Sequence, residues 1–318
     1  MPAIIQIANL THLHQNRTII DDLSLMVEEG DAFGFVGPNG AGKTSTIRIM
    51  TTLLAPTYRE VLIDGHSVKT SPGLIRKIIG YVPDQCGFYP DMTTWEYLDF
   101  FGACYKIHYS ERSELISTLL ELVDLSDRKD AQVENLSLGM KQRLSLARAL
   151  VHDPKVLILD NPLSGLDPNA RVEFQELLSE LAQMGKTIFL SSHILADVTK
   201  ICNRVGIMDA GKLLAYGSVK ELNTRLNLPR MIRIKLLGRP ENVHSLLKSN
   251  PFISDISINE VQPEELITTF QINFHGEDEK IIELLTALVR LGIQVLSFEV
   301  DTSEMEEIFS YITKGAAS

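Results

Sequence analysis

Up to about Lys220, short apolar runs alternate with stretches of helical period, the pattern of an α/β sheet. Ala32 to Gly37 (AFGFVG), Lys155 to Asp160 (KVLILD) and Lys186 to Ser192 (KTIFLSS) have strand length and little polar interruption, and read as buried strands. Ile4 to Thr11 and Val61 to Val68 read as antiparallel edge strands. Thr44 to Leu54 sets Ile47, Met50 and Leu54 on one helical face, and Arg171 to Gly185 reads as an amphipathic crossover helix. Between about Pro90 and Glu134 the pattern is helical with no strand, which predicts a helical lobe.

After Leu228 the texture changes. A strand at MIRIKLL, a helix from Glu241 to Ser249, strands at ISDISIN and LITTFQINF, a helix from Glu277 to Leu291 and a strand at IQVLSFEV follow in order. The order β-α-β-β-α-β predicts a small split-βαβ unit. A last amphipathic helix is expected over Thr302 to Ile312, and the boundary falls near Asn223 to Pro229.

Composition narrows the classes. The chain has 318 residues, 44% hydrophobic and 22% charged, an ordinary globular balance. Its apolar runs fall short of the roughly 18 residues that a membrane span needs, and MPAIIQIANL lacks the basic region of a secretory signal. A net charge of -11 argues against nucleic acid or an anionic lipid surface as the main partner. Cys86, Cys104 and Cys202 show no metal or redox spacing and read as reduced thiols of a cytosolic chain.

The chemistry concentrates first at GPNGAGKTS: Gly37, Pro38, Asn39, Gly40, Ala41, Gly42, Lys43, Thr44 and Ser45. The spacing is that of a phosphate-binding loop, G-x-x-x-x-G-K-[ST]. Glycines let consecutive backbone N–H groups turn inward onto phosphate oxygens. Lys43 adds a charge near the β- and γ-phosphates, and the Thr44 hydroxyl can ligate Mg²⁺. A strand before and a helix after point the helix N-terminus at the anion. A nucleotide and Mg²⁺ are therefore the expected ligands, the nucleotide being ATP by the resemblance that the further motifs carry. Asp160, ending an apolar strand, is the second expected Mg²⁺ holder.

Three further motifs stand in order: ENLSLGMKQRLSLARALVHDP from Glu134 to Pro154, SGLDP from Ser164 to Pro168, and SSHIL around His193. Together with the phosphate loop they closely resemble the ABC ATPases, over about Ile4 to Val219. The resemblance implies an α/β P-loop NTPase fold with an antiparallel β subdomain and a helical lobe at about 90–135. The expected domains are an ATPase domain at 1–222 and a ferredoxin-like accessory domain at 229–318. The latter, ending in MEEIFSYITKG, resembles that of bacterial ABC exporters of drugs, antibiotics and lipids.

The resemblance also implies roles. Two subunits would sandwich two ATP molecules head to tail, as a homodimer or with another ATPase of the family. Ser137 and Gly139, in LSLGM, would reach the partner's γ-phosphate; His193 would contact the γ-phosphate and orient water; Asp167 would lie across the dimer interface. His14 aligns with the residue that stacks on adenine. A separate membrane permease would be the transport partner, placing the chain in the cytoplasm on the inner face of the membrane, with no segment inserted and no nucleic acid bound. A soluble ABC ATPase acting on DNA or ribosomes would need a coiled coil or a second cassette.

The chain departs from the family pattern at Asn161, where glutamate normally serves as general base. An amide orients water but takes no proton, and loss of a general base costs about 10²- to 10⁴-fold in rate. The alternative is thus a nucleotide-binding switch with little hydrolysis. The family's glutamine after YVP is Asp84 here with Gln85 next, and either could reach the metal, Gln85 being the nominal ligand. Arg59 stands where glycine is usual. The aromatics Phe88, Tyr89, Trp95, Tyr97, Phe100, Phe101, Tyr105 and Tyr109 read mostly as lobe core, with Cys86 to Trp95 the expected permease contact.

Overall fold

The computed structural model describes residues 3–218, 221–222, 230–238, 241–260, 267–276 and 278–301. The chain divides into two units, Met1–Val219 and Lys220–Ser318. The helix expected over Thr302 to Ile312 and the boundary near Asn223 to Pro229 lie outside the described residues.

The first unit holds two sheets. Strands β1 (Ala3–His14), β2 (Arg17–Glu28), β4 (Tyr58–Ile63) and β5 (His66–Ser67) form one, in the order β2-β1-β4-β5. The edge-strand expectation for Ile4 to Thr11 fails, because β1 pairs antiparallel with β2 on one side and β4 on the other. Alternating burial looks the same on an interior and an edge strand, so the pattern could not tell them apart. The run Val61 to Val68 is likewise a hairpin rather than one strand. Asp64 and Gly65 turn it with φ of 50° and 74°, the paired left-handed residues that suit a tight hairpin. Arg59 also has positive φ, 67°, the backbone region that favours glycine.

The second sheet runs β10-β9-β3-β8-β7-β6. Its strands are β3 (Ala32–Val36), β6 (Ile79–Val82), β7 (Val156–Asp160), β8 (Thr187–Ser192), β9 (Arg204–Asp209) and β10 (Lys212–Ser218). All neighbours are parallel except β10 on β9. Every residue of β3, β7 and β8 is buried, which is why they read as continuous apolar runs. A single apolar cluster joins β1, β2 and β4 to Phe33, Phe35, Ile158 and Phe189 of the parallel sheet.

Helix α1 (Lys43–Met50) follows β3 and gives Ile47, Ile49 and Met50 to that cluster. It stops four residues short of the expected Leu54. The Thr51 hydroxyl bonds the Ile47 carbonyl, Thr52 turns to φ 63°, and the Leu53 and Leu54 amides both bond the Arg48 carbonyl. This side-chain competition with the helix ladder is typical of threonine. Helix α2 (Pro72–Ile78) leads into β6.

The expected lobe is helical: α3 (Thr94–Cys104), opened by a Thr93–Glu96 capping box, and α4 (Tyr109–Leu122). Tyr97 is fully buried and packs rings with Phe88 and Phe101, whereas Tyr89, Phe100, Tyr105 and Tyr109 are exposed. Further α-helices are α5 (Leu138–Leu150), α6 (Pro168–Gln183) between β7 and β8, and α7 (Leu195–Thr199).

The second unit follows the predicted β-α-β-β-α-β order. It comprises β11 (Arg230–Leu237), α8 (Glu241–Ser249), β12 (Ile253–Glu260), β13 (Ile267–Phe274), α9 (Asp278–Arg290) and β14 (Val295–Asp301). The sheet is antiparallel, ordered β12-β13-β11-β14. Ile232, Ile234 and Leu236 point from β11 into a core with Phe270, Ile272, Leu284 and Leu288, as a strand buried on one face requires.

Candidate active site

Parallel pairing aligns the carboxyl ends of three strands. Val36 lies beside Ser192, and Asp160 beside Ser191. The loop after β3, the end of β7 and the residue after β8 therefore open into one cleft, where open α/β sheets place their ligands. Its volume is about 350 Å³, and its walls include Asn39, Gly40, Gly42, Lys43, Thr44, Ser45, Asp84, Asp160, Asn161 and His193.

The loop is shaped by close packing. A Cβ on Gly37 would lie 2.1 Å from the Met208 carbonyl oxygen, and one on Gly42 2.8 Å from the Ile19 carbonyl oxygen. Gly42 also caps α1 at φ 109°, a conformation that side chains rarely adopt. Lys43 is 8% exposed, and its ammonium donates to the Gly37 and Pro38 carbonyls at 2.7 and 3.0 Å. Burial pulls its pKa below the ordinary lysine value, an effect that the Asp160 charge opposes. A buried cation held by neutral carbonyls suits an arriving anion.

Asp160 is 2% exposed. Its Oδ1 accepts from the Ser191 hydroxyl at 2.7 Å and the Thr44 hydroxyl at 3.3 Å. Burial pushes the carboxyl pKa up, while the two hydroxyl bonds and Lys43 pull it down. Hydroxyl plus carboxylate is a hard-oxygen donor pair of the kind that Mg²⁺ takes, with its remaining positions left to phosphate and water. The residues present thus fit a magnesium nucleotide. Among the described residues no cluster of three or more acidic, histidine or cysteine side chains forms a separate metal site.

At the mouth, Asn161 sits at φ 49° and its amide N–H bonds the Ser191 hydroxyl at 2.9 Å. Its Nδ2 donates to Asp84 Oδ1 at 3.1 Å, and its Oδ1 lies 3.3 Å from His193 Nδ1. Asp84 and Gln85 are both exposed, and of the two Asp84 lines the cleft. Other candidates lie off it. Ser137 caps α5 through Met140 N–H, Gly139 lies beside Ala170, and Asp167 caps α6 through Asn169 and Ala170 N–H. His14 ends β1 and is not a cleft residue; Ile19 of β2 is. Sequence reading passed over Ser191. Its signal was a serine pair ending an apolar run, legible only once β8 is known to lie beside β7.

These features define a P-loop ATPase cassette. A solved ATP-binding subunit of an ABC transporter superposes with a TM-score of 0.64 at 27% identity, covering 70% of this chain and 93% of that one. The ABC transporter family matches residues 20–164. The bacitracin transport ATP-binding protein of Bacillus licheniformis is 34% identical over 316 residues, 99% of each chain. The linearmycin resistance ATP-binding protein of Bacillus subtilis is 29% identical over 310 residues, 98% of each. The chain belongs to the ATP-binding proteins of ABC transporters and is an ABC-type ATPase subunit.

Proposed function

We propose that this chain closes head to tail on a second ATPase subunit around two Mg-ATP, hydrolyses them slowly, and so drives export by a separate membrane permease. The carrying observation is the cleft at the strand ends, where Lys43, Thr44 and Asp160 are gathered around room for a triphosphate. Gly37 to Ser45 hold the phosphates, with Thr44 and Asp160 toward Mg²⁺, which when bound neutralises charge developing on the phosphates. His193 orients water at the γ-phosphate; Asn161 orients it too and, as an amide, takes no proton from it. Ser137 and Gly139, at the start of α5, meet the partner's nucleotide, Asp167 lies at the subunit boundary, and His14, exposed at the end of β1 outside the phosphate cleft, is left to stack on an adenine that extends beyond it.

Among the described residues no helix is long and apolar enough to cross a membrane, so the translocation path is assigned to another chain. The subunit then works on the cytoplasmic side, held to the membrane by that permease. Exposed Tyr89, between Cys86 and Trp95, supports the permease contact there. The second unit serves as an accessory domain.

Light scattering of the purified chain tests this. Mg-ATP is expected to double the mass, and Ser137→Gly, which keeps a tolerated helix cap, to weaken the dimer. A monomer at saturating Mg-ATP would overturn the reading. A stable dimer with no turnover would reduce the subunit to a switch.

A further inference from the structure

Hydrolysis needs a group to receive the proton of the attacking water, and the amide at 161 cannot. The cleft holds two carboxylates, Asp84 and Asp160. Asp160 is committed elsewhere: it is 2% exposed, at the floor, and bonded by Ser191 and Thr44. Asp84 stands at the mouth. One of its oxygens accepts from Asn161 Nδ2 at 3.1 Å, and the other makes no hydrogen bond among the described residues. Through Asn161 it belongs to a row, Asp84–Asn161–His193, that lines the same cleft as Lys43 and Thr44.

We propose that Asp84 is the general base of this ATPase, with Asn161 and His193 positioning the water between them. The inference rests on the hydrolytic reading of the cleft. Water oxygen bonds to the γ-phosphorus as the bond from that phosphorus to the β,γ-bridging oxygen breaks. The electron pair leaves on ADP, and the water proton passes to the free Asp84 oxygen and then to solvent. The amide of Asn161 holds the carboxylate in place, and its own oxygen faces the imidazole. The base thus comes from the loop after β6 rather than from the residue after Asp160.

The test compares Asp84→Asn and Asp84→Glu with the parent, measuring steady-state kcat and KM for Mg-ATP and, separately, equilibrium binding of a fluorescent ATP analogue. Asp84→Asn is expected to lower kcat by about 10²- to 10⁴-fold, with analogue affinity changed by less than about threefold. Asp84→Glu should recover at least about tenfold over the amide, since a base needs a carboxylate and not merely a hydrogen-bond acceptor. The proposal is overturned if the amide variant turns over within about threefold of the parent, a parent without turnover included. It is also overturned if affinity falls as far as kcat, which would make Asp84 a holder of nucleotide or metal, or if glutamate is no better than the amide. The binding measurement separates failure of this proposal from failure of the nucleotide site itself.

Discussion

Ser191 joins the two halves of the cleft, and its loss can be followed quantitatively. The side chain is fully buried, donates to Asp160 Oδ1 at 2.7 Å and accepts from Asn161 N–H at 2.9 Å. Ser191→Ala removes both bonds. A hydrogen bond to a charged group contributes about 1.5–3 kcal/mol. The Asn161 N–H keeps a second acceptor, the Ser191 carbonyl at 3.2 Å, so it is not orphaned and adds little. The expected loss is about 2–3 kcal/mol, which for a unit of this size lowers Tm by about 4–12 °C. Function should suffer separately. Asp160 loses the donor that orients it, and removing such a support typically weakens metal affinity about 10- to 100-fold. Urea unfolding of the apoprotein measures the first effect, and Mg²⁺ titration at fixed ATP the second. Ser192→Ala is the control: among the described residues its hydroxyl bonds the Ile194 N–H alone, at 2.9 Å, a neutral bond contributing about 1 kcal/mol. Equal losses in the two variants, or less than about 0.5 kcal/mol for Ser191→Ala, would refute the charge-assisted account.

Two other expectations concern the scaffold. Gly34, inside β3, leaves no room for a side chain: a Cβ would lie 1.8 Å from Val198 Cγ1. Gly34→Ala should therefore cost at least about 1–3 kcal/mol in urea unfolding, and Val198→Ala in the same chain should restore part of it. His152 stacks on Tyr105, directs Nε2 at the Ile79 carbonyl and leaves Nδ1 buried with no hydrogen-bond partner among the described residues. Burial lowers its pKa below 6.5, against the raising influence of the Ile79 bond and Asp153. The folded state thus binds this proton less tightly than the unfolded one. Its contribution is complete above pH 6.5 and falls as pH drops through the folded value. His152→Gln should flatten the stability profile below pH 6.5; an unchanged slope there would count against this assignment.

Much of the site was legible because its residues are contiguous. The loop from Gly37 to Ser45 is fixed by local chemistry: glycines where backbones touch, a lysine and a hydroxyl at set spacing. Asp160 and His193 were legible as polar residues ending apolar runs. The β-α-β-β-α-β order after Leu228 was legible from period alone. What stayed hidden was pairing. Nothing local distinguishes β1 as an interior strand, since its neighbours lie in β2 and β4. Nothing local says that Asp84 rather than Gln85 turns into the cleft, or that it meets Asn161 across 77 positions of chain. The line between local and tertiary determination falls at sequence distance. Turn chemistry, period and phosphate-loop spacing act within a few residues, so the sequence alone determined them. Strand order, the Ser191–Asp160 bond and the row across the cleft mouth depend on which remote segments pack together, and only the folded sheet decided those.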